Sequence, residues 1–363
     1  MNDAIKEQIY LFLKTYDKEY TEPHIYYSKK IMSIIYNHIN RVLMKNDVKC
    51  LYSIKANINE NVIDYISGFI DGFDVASYSE YKKIKKYNSE KYVISASGYS
   101  FTNRQICEVI SDGLNFDFMS VNQIESILYL TKLKNIGIRI NCNLSELEQR
   151  GDYNSRFGVD YNCDAEKLIN LCDIYHLNLK RIHLHTGEKN ERNIKDCITE
   201  TRKWIMKFPS IQYVNFGGGW DYLVDKGLFD YIIERISKEF NSKTIFIEPG
   251  SLLVRKAGIL MSQVIDYKTS EYGINNVVLD TSAFNLSSWF RPKLIANVGN
   301  GKRLALKNYN LNGNTCFEDD IFQTDLSFQI GLLDTVFLYP VGAYYNSTCR
   351  SLHGQQFPKE IMI

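Results

Sequence analysis

CLYSIK, residues 50–55, reads as a short apolar strand that closes on a lysine, and seven further runs share that form. They are GFDVAS (72–77), KYVISA (91–96), LNFDFM (114–119), NIGIRI (135–140), RIHLHT (181–186), QYVNFG (212–217) and TIFIEP (244–249). Amphipathic stretches lie between them: SEYKKIKKYNS (79–89), NRQICEVISDG (103–113), NQIESILYLTKLK (122–134), DAEKLINLCDIYH (164–176) and KDCITETRKWIMKF (195–208). Short β-branched and aromatic runs alternating with helical patterns are the sequence form of βα units feeding a parallel sheet. Eight such units predict a TIM-like (βα)8 barrel, in an α/β fold, over residues 26–250.

After Glu248 the pattern changes. GILMSQVIDYKT (258–269), NNVVLDTS (275–282), RLALKNY (303–309), DLSFQIG (325–331) and TVFLYP (335–340) read as strands without crossover helices, which predicts a mainly antiparallel β domain. The N-terminal MNDAIKEQIYLFLKTYDKEY has apolar residues at helical spacing and lacks a basic leader region and a cleavage site, so it reads as an amphipathic helix. Residues 1–25 are assigned with 251–363 to that second domain. The length of 363 residues accommodates a barrel of roughly 250 residues and a smaller companion.

Composition narrows the function. With 43 basic and 42 acidic side chains, the formal charge is +1, and no broad field exists to hold nucleic acid or an anionic membrane. No apolar stretch approaches the ~18 residues that span a bilayer. The eight cysteines form neither a CxxC pair nor a zinc spacing and read as reduced thiols. These features point to small-molecule chemistry in the cytoplasm, with no structural metal.

The polar residues suited to chemistry fall at the C-terminal ends of the predicted strands: Lys55, Asp74, Arg139, His183, His185, Gly217, Gly218, Gly219 and Glu248. Barrel active sites gather on that face. A lysine there is partly desolvated, which lowers its pKa and makes it a nucleophile able to form a Schiff base, although a lone strand-end lysine is ordinarily a solvated surface residue. Three glycines after a strand let backbone N–H groups surround a phosphate; the alternative is a plain turn. His183 and His185 alternate onto one side of their strand, into the barrel if Ile182 and Leu184 face the helices. They offer a metal pair without a third ligand, a flat ring for stacking on an aromatic cofactor, or satisfied core histidines. Glu248 is costly at the end of an apolar strand unless paired. Against a pyridine nitrogen it would keep the ring protonated; the structural alternative is a salt bridge, with Arg139 as partner.

In the second domain GNTCFEDD (313–320) offers Cys316 as a proton donor, and GAYYNS (342–347) offers the Tyr344 phenol for a phosphate. Each is weak alone: a buried inert thiol and one of 26 tyrosines.

Taken in order, YSIKAN (52–57), FDVASYSE (73–80), SRFG (155–158), HLHTGE (183–188), FGGGW (216–220), IEPGS (247–251), GNTCFEDD and GAYYNS resemble the pyridoxal-phosphate-dependent ornithine, diaminopimelate and arginine decarboxylases built on an alanine-racemase-like barrel. The resemblance runs over nearly the whole chain. It implies pyridoxal 5'-phosphate as cofactor, with Lys55 as its Schiff-base residue, His185 stacked on the ring, Glu248 at the pyridine nitrogen, and Gly217, Gly218, Gly219 and Tyr344 at the phosphate. Cys316 is carried over as the Cα proton donor. Asp74, Glu80 and Arg139 match supporting positions, while Asp280, Phe317 and Asp320 fall in the substrate region together with the segment NCNLSELEQRGDYN (141–154). A head-to-tail homodimer is also implied, in which the loop bearing Cys316 enters the neighbouring barrel.

Departures from the family pattern bear on specificity. Ser251 stands where EPGR carries arginine, an acid (Glu188) replaces a hydroxyl in the turn after His185, and Phe317 follows Cys316 where ornithine decarboxylases have aspartate. The expected reaction is removal of the α-carboxylate from a basic amino acid or an amino-acid conjugate of polyamine or siderophore synthesis. Free, conjugated and carrier-protein-bound substrates all stay open. An amino-acid racemase or epimerase on the same barrel is the enzyme alternative. A catalytically silent regulatory homologue is the other, and the retention of Lys55 and Cys316 argues against it.

Overall fold

The computed structural model describes residues 1–16, 20–88, 91–142, 155–286, 289–299 and 308–363. They divide into two compact units, one of residues 38–55 and 66–252, the other of residues 1–37, 56–65 and 253–363.

In the first unit, eight parallel strands close into a barrel. They are β2 (Val48–Ser53), β3 (Gly72–Ser77), β4 (Val93–Ser100), β5 (Asn115–Phe118), β6 (Asn135–Ile140), β7 (Asn178–Leu184), β8 (Tyr213–Asn215) and β9 (Thr244–Ile247), each at one of the expected runs. Closure comes from β2 pairing β9, with Val48 opposite Ile245 and Cys50 opposite Ile247. Helices lie between strands where the periodicity places them. Asn103–Ser111 starts at a reciprocal cap in which Thr102 and Gln105 bond each other's backbone N–H. Tyr161–Tyr175 is capped by Asp160 and ends at His176 in the left-handed conformation. Asn193–Lys207 buries Ile194, Ile198 and Trp204 along one face. The stretch NQIESILYLTKLK is helical only over Val121–Glu125, after which the chain continues in turns.

The barrel's interior is polar. Asp117 on β5 receives a 2.6 Å bond from Arg181 on β7, across β6. Gly137 on β6 makes room for that pair, since a Cβ there would run into the Asp117 carboxylate. Ser53 bonds Asp74 at 2.8 Å. Burying these polar groups is tolerable because they pair with one another.

In the second unit the sheet runs β12 (Lys293–Val298), β15 (Thr335–Tyr339), β10 (Gly258–Thr269), β11 (Asn275–Leu279), β13 (Tyr309–Asn312) and β14 (Ile321–Leu326). Off this path, β1 (His24–Tyr27) pairs antiparallel with β10 and parallel with β16 (Lys359–Met362). The sheet is mostly antiparallel; β11 and β13 form a second parallel pair. Tyr26, Ile259, Met261 and Phe337 form a buried cluster on one face, and Ile9, Phe12 and Leu13 of the helix Asn2–Thr15 pack against it. Three strands had no counterpart among the expected runs: β1, β12 and β16. DLSFQIG overlaps β14 only at Asp325 and Leu326; Asp325 takes a left-handed φ of 55° within the strand, next to a register shift in its pairing with β13. RLALKNY lies, except for its last two residues, outside the described residues. No helix among the described residues is long and apolar enough to cross a membrane.

Candidate active site

The C-terminal ends of the barrel strands bring together Lys55, Asp74, Arg139, His183, His185, the three glycines and Glu248, all within the first unit. Lys55 lies in a single turn of 3-10 helix just past β2, and its Nζ stands 3.4 Å from Oδ2 of Asp74. Asp74 is buried, so its pKa is raised by desolvation and then by the negative charge of Glu248, against the pull of Lys55.

Glu248 is buried at the end of β9. Burial would raise its pKa, but His183, Lys55 and Asn215 together outweigh burial and hold it at about 2. Its Oε1 accepts a 2.5 Å bond from the Asn215 amide. Its Oε2 lies 3.1 Å from Nε2 of His183, whose Nδ1 lies 3.6 Å from Asp117. The alternative, an ion pair with Arg139, is not formed among the described residues; Arg139 donates to the His185 carbonyl at 3.4 Å and lies 4.9 Å from the centre of the Phe157 ring. Thus β7 uses its two histidines differently. His183 sits within the barrel among acids, whereas His185 lies past the strand and accepts from the Gly218 N–H at 3.3 Å through Nδ1. Burial and then the charges of Lys55, Lys189 and Arg139 push the His185 pKa well below its ordinary value, so the ring is neutral with its proton on Nε2.

Gly217 and Gly219 have φ values of 64° and 85°, which side chains rarely adopt. A Cβ on Gly217 would meet the Leu184 carbonyl, one on Gly218 would lie 2.8 Å from the Glu248 carbonyl, and one on Gly219 would meet the Gly187 carbonyl. The turn after β8 is therefore drawn tightly under the ends of β7 and β9. Together, a lysine beside an acid, an ionised buried carboxylate, a neutral imidazole and a cup of side-chain-free backbone fit a phosphorylated pyridine aldehyde. The chain belongs to the pyridoxal-dependent decarboxylase family. The family's pyridoxal-binding domain matches residues 32–255.

Among curated relatives, the diaminopimelate decarboxylase of Campylobacter jejuni is 23% identical over 306 residues, covering 77% of this chain and 74% of the relative. The 2-[(L-alanin-3-ylcarbamoyl)methyl]-2-hydroxybutanedioate decarboxylase of Staphylococcus aureus is 23% identical over 257 residues, covering 64% of this chain and 63% of the relative. The arginine decarboxylase of Paramecium bursaria Chlorella virus, solved bound to agmatine, superposes with a TM-score of 0.80 at 20% identity, covering 98% of this chain and 100% of that one. At that identity the superposition shows the fold. As a member of this family the chain is a pyridoxal-phosphate enzyme of the decarboxylase class.

Other expected residues have these settings. Glu80 sits in the first turn of the helix Tyr78–Ile84, where Ser77 caps its N–H and its carboxylate accepts from Ala76 at 2.6 Å. Ser251 bonds Asp221 at 3.0 Å. In the second unit, the Cys316 side chain is exposed and its N–H donates to His353 at 3.1 Å. Phe317 packs its ring 4.6 Å from that of Phe284. Asp320 is buried and accepts from Phe284 N–H, Thr315 N–H and the Thr315 hydroxyl at 2.8, 3.0 and 2.5 Å, so its carboxylate is occupied in shaping its own loop. Asp280 accepts from Tyr20 and Ser262 and lines a cleft of about 450 Å³ with Asn285, Asn314 and Gln355. Tyr344 adopts a left-handed φ of 62°, and its ring packs at 4.4 Å from that of Trp289, tilted by 51°. Of NCNLSELEQRGDYN, all but Asn141 and Cys142 lie outside the described residues. No cluster of three or more His, Cys, Asp or Glu among the described residues suits a metal.

Two site residues carried no usable signal. Asn215, which clamps Glu248, looked like an ordinary strand residue, and Lys189, within the charged run GEKNER, looked like part of a solvated loop. Lys189 is fully buried, while Glu188 before it is exposed.

Proposed function

We propose that this chain removes the α-carboxylate from an amino-acid conjugate carrying a basic amino acid, using pyridoxal phosphate anchored on Lys55. The observation that carries the reading is the setting of Glu248, buried at the end of β9 with Asn215 bonded to one carboxylate oxygen and His183 3.1 Å from the other, which keeps its pKa low. Bound pyridoxal phosphate supplies a pyridine ring, conjugated to the reacting Cα, that accepts the electron pair left when carbon dioxide departs. An ionised Glu248 keeps a proton on the pyridine nitrogen and so favours loss of carbon dioxide over racemisation. Lys55 supplies the anchoring amine, and Asp74 balances its charge when it is free. Neutral His185 presents an imidazole face suited to stacking on the ring. The turn of Gly217, Gly218 and Gly219 cradles the phosphate, joined by Tyr344; its first two N–H groups are held by Asn215 and His185, which leaves the Gly219 N–H for the anion.

The proton that replaces the carboxylate comes from Cys316 of the partner subunit in a head-to-tail homodimer, or from Lys55. This part rests on the family resemblance and on the exposed position of the Cys316 thiol. Phe317 beside it is apolar where a small diamine-forming substrate would want an acid. That favours an elaborated substrate, as does similarity to a relative named for a conjugate. The cytoplasm is its proposed compartment.

Mass-spectrometric detection of carbon dioxide loss across free basic amino acids, amino-acid conjugates and a carrier-protein-bound aminoacyl group tests the reading. Turnover of conjugates supports it. Turnover confined to a small free amino acid, or to the carrier-bound form, overturns the substrate assignment, and a chirally inverted product with its carboxylate intact overturns the reaction.

A further inference from the structure

Lys189 is a fully buried site cation whose charge the proposed chemistry leaves unused. Its side chain is fully buried, yet no carboxylate lies within ion-pairing distance of it among the described residues. Its Nζ donates to the Gly218 carbonyl at 2.7 Å and sits 5.2 Å from the centre of the Trp220 ring. Its own backbone N–H donates to the Gly219 carbonyl at 2.6 Å. An ammonium buried this way is expensive unless an anion completes its surroundings.

The two bonds also fix the direction of the loop. In a trans peptide the C=O and the following N–H point opposite ways. With the carbonyls of Gly218 and Gly219 both turned to Lys189, the N–H groups of Gly219 and Trp220 must point away from it. Neither has an acceptor among the described residues, whereas the N–H groups of Gly217 and Gly218 are taken by Asn215 and His185. Two adjacent open N–H groups, that of Gly219 turned outward by the buried ammonium and that of Trp220 by the Lys189 backbone, make an anion site.

We propose that Lys189 is the positioning residue of the cofactor's phosphate site: it turns the Gly219 and Trp220 N–H groups toward the phosphate dianion and supplies the buried positive charge that the dianion balances. This rests on the pyridoxal-phosphate reading above and extends it to a residue outside the glycine cup. Burial lowers the Lys189 pKa to about 8, so the amine is still largely protonated at neutral pH and loses its charge as pH rises above that value.

The test compares pyridoxal phosphate with pyridoxal, which lacks the phosphate, on wild type and on Lys189→Met, which keeps the aliphatic stem. The variant should bind pyridoxal phosphate at least tenfold more weakly and pyridoxal within twofold of wild type. An unchanged phosphate-ester affinity, or equal weakening of both ligands, overturns the proposal. Should the variant not fold, wild type alone decides: above about pH 7, where the phosphate is dianionic, the ratio of the two affinities should fall as pH rises through about 8 and Lys189 loses its charge. A flat ratio up to pH 10 overturns the proposal. Wild type that binds neither ligand overturns the cofactor reading and this proposal with it; wild type that binds both while Lys189→Met changes nothing overturns only the role of Lys189.

Discussion

The Nε2 atom of His183 lies 3.1 Å from Oε2 of Glu248 inside a barrel where both side chains are almost wholly inaccessible to solvent. Each would be costly there alone. Asn215 holds the other carboxylate oxygen, so Glu248 cannot swing away or readily take up a proton. Replacing Glu248 with Gln keeps the shape and removes the charge. The Glu248→Gln protein should retain bound pyridoxal phosphate but lose at least ~100-fold in kcat, corresponding to about 2.7 kcal/mol of barrier. Parallel cofactor titration and carbon dioxide release measure the two effects; loss of cofactor with an unchanged rate per bound site would contradict the assignment.

The same residue sets an acid limb of stability. A carboxylate whose pKa is depressed on folding stabilises the protein fully above its unfolded value, near 4.3, and that contribution fades as pH falls toward about 2. Asp74, whose pKa is raised by burial and then by the Glu248 charge, acts in the opposite sense, and does so less in Glu248→Gln, where that charge is gone. Urea unfolding at stepped pH should therefore show the margin of wild type over Glu248→Gln shrinking between pH 4.5 and 2. A margin independent of pH would mean that Glu248 is not ionised in the fold.

Glycine substitutions should be graded by geometry. Gly219 combines a left-handed φ of 85° with a Cβ position occupied by the Gly187 carbonyl, whereas Gly218 has ordinary backbone and a Cβ position 2.8 Å from the Glu248 carbonyl. Gly219→Ala is expected to cost about 1–3 kcal/mol in strain alone and to weaken cofactor binding more than tenfold. Gly218→Ala should do less on both counts. Thermal denaturation with and without cofactor gives the order.

Asp320 gathers three donors in its own loop. Asp320→Ala strands those groups, at about 1–3 kcal/mol for a buried donor left without an acceptor. We expect turnover to fall sharply while cofactor stays bound, since the residue lies outside the barrel unit. Equal loss of both would place its effect in the barrel.

The proposed sharing of active sites across a homodimer is tested by mixing subunits. Lys55→Ala and Cys316→Ala subunits should each be nearly inactive as homodimers. Co-refolded in equal amounts, random pairing makes half of the dimers mixed, each with one intact site, so activity should return to about a quarter of wild type. No recovery would place Lys55 and Cys316 of each site in the same subunit.

Much of the barrel was legible because its strands are dense in Ile, Val and Phe and are separated by helical periodicity. Lys55, the glycines and Glu248 stood out as polar or side-chain-free residues ending such runs. What was not legible depended on contacts across the fold. The neighbour of Glu248 is His183 on β7, two strands away, rather than Arg139, a contact across the barrel that neither strand's own pattern encodes. Lys189 was hidden in a charged run whose neighbours are exposed, and only the tight turn of Gly217–Gly219 draws that one side chain inside. Strands β1 and β16 have four residues each and join the sheet by pairing with each other and with β10, which local periodicity does not encode.

The central claim is that Lys55 anchors the cofactor, and borohydride reduction of the pyridoxal-phosphate-loaded protein followed by peptide mapping tests it most directly. Lys55 and Lys189 are the two lysines at the site, and burial gives Lys189 the lowered pKa, about 8, that would suit a nucleophile. The prediction is one phosphopyridoxyl group per chain on Lys55, absent from Lys55→Ala. A group found on Lys189, or on no lysine, would contradict it.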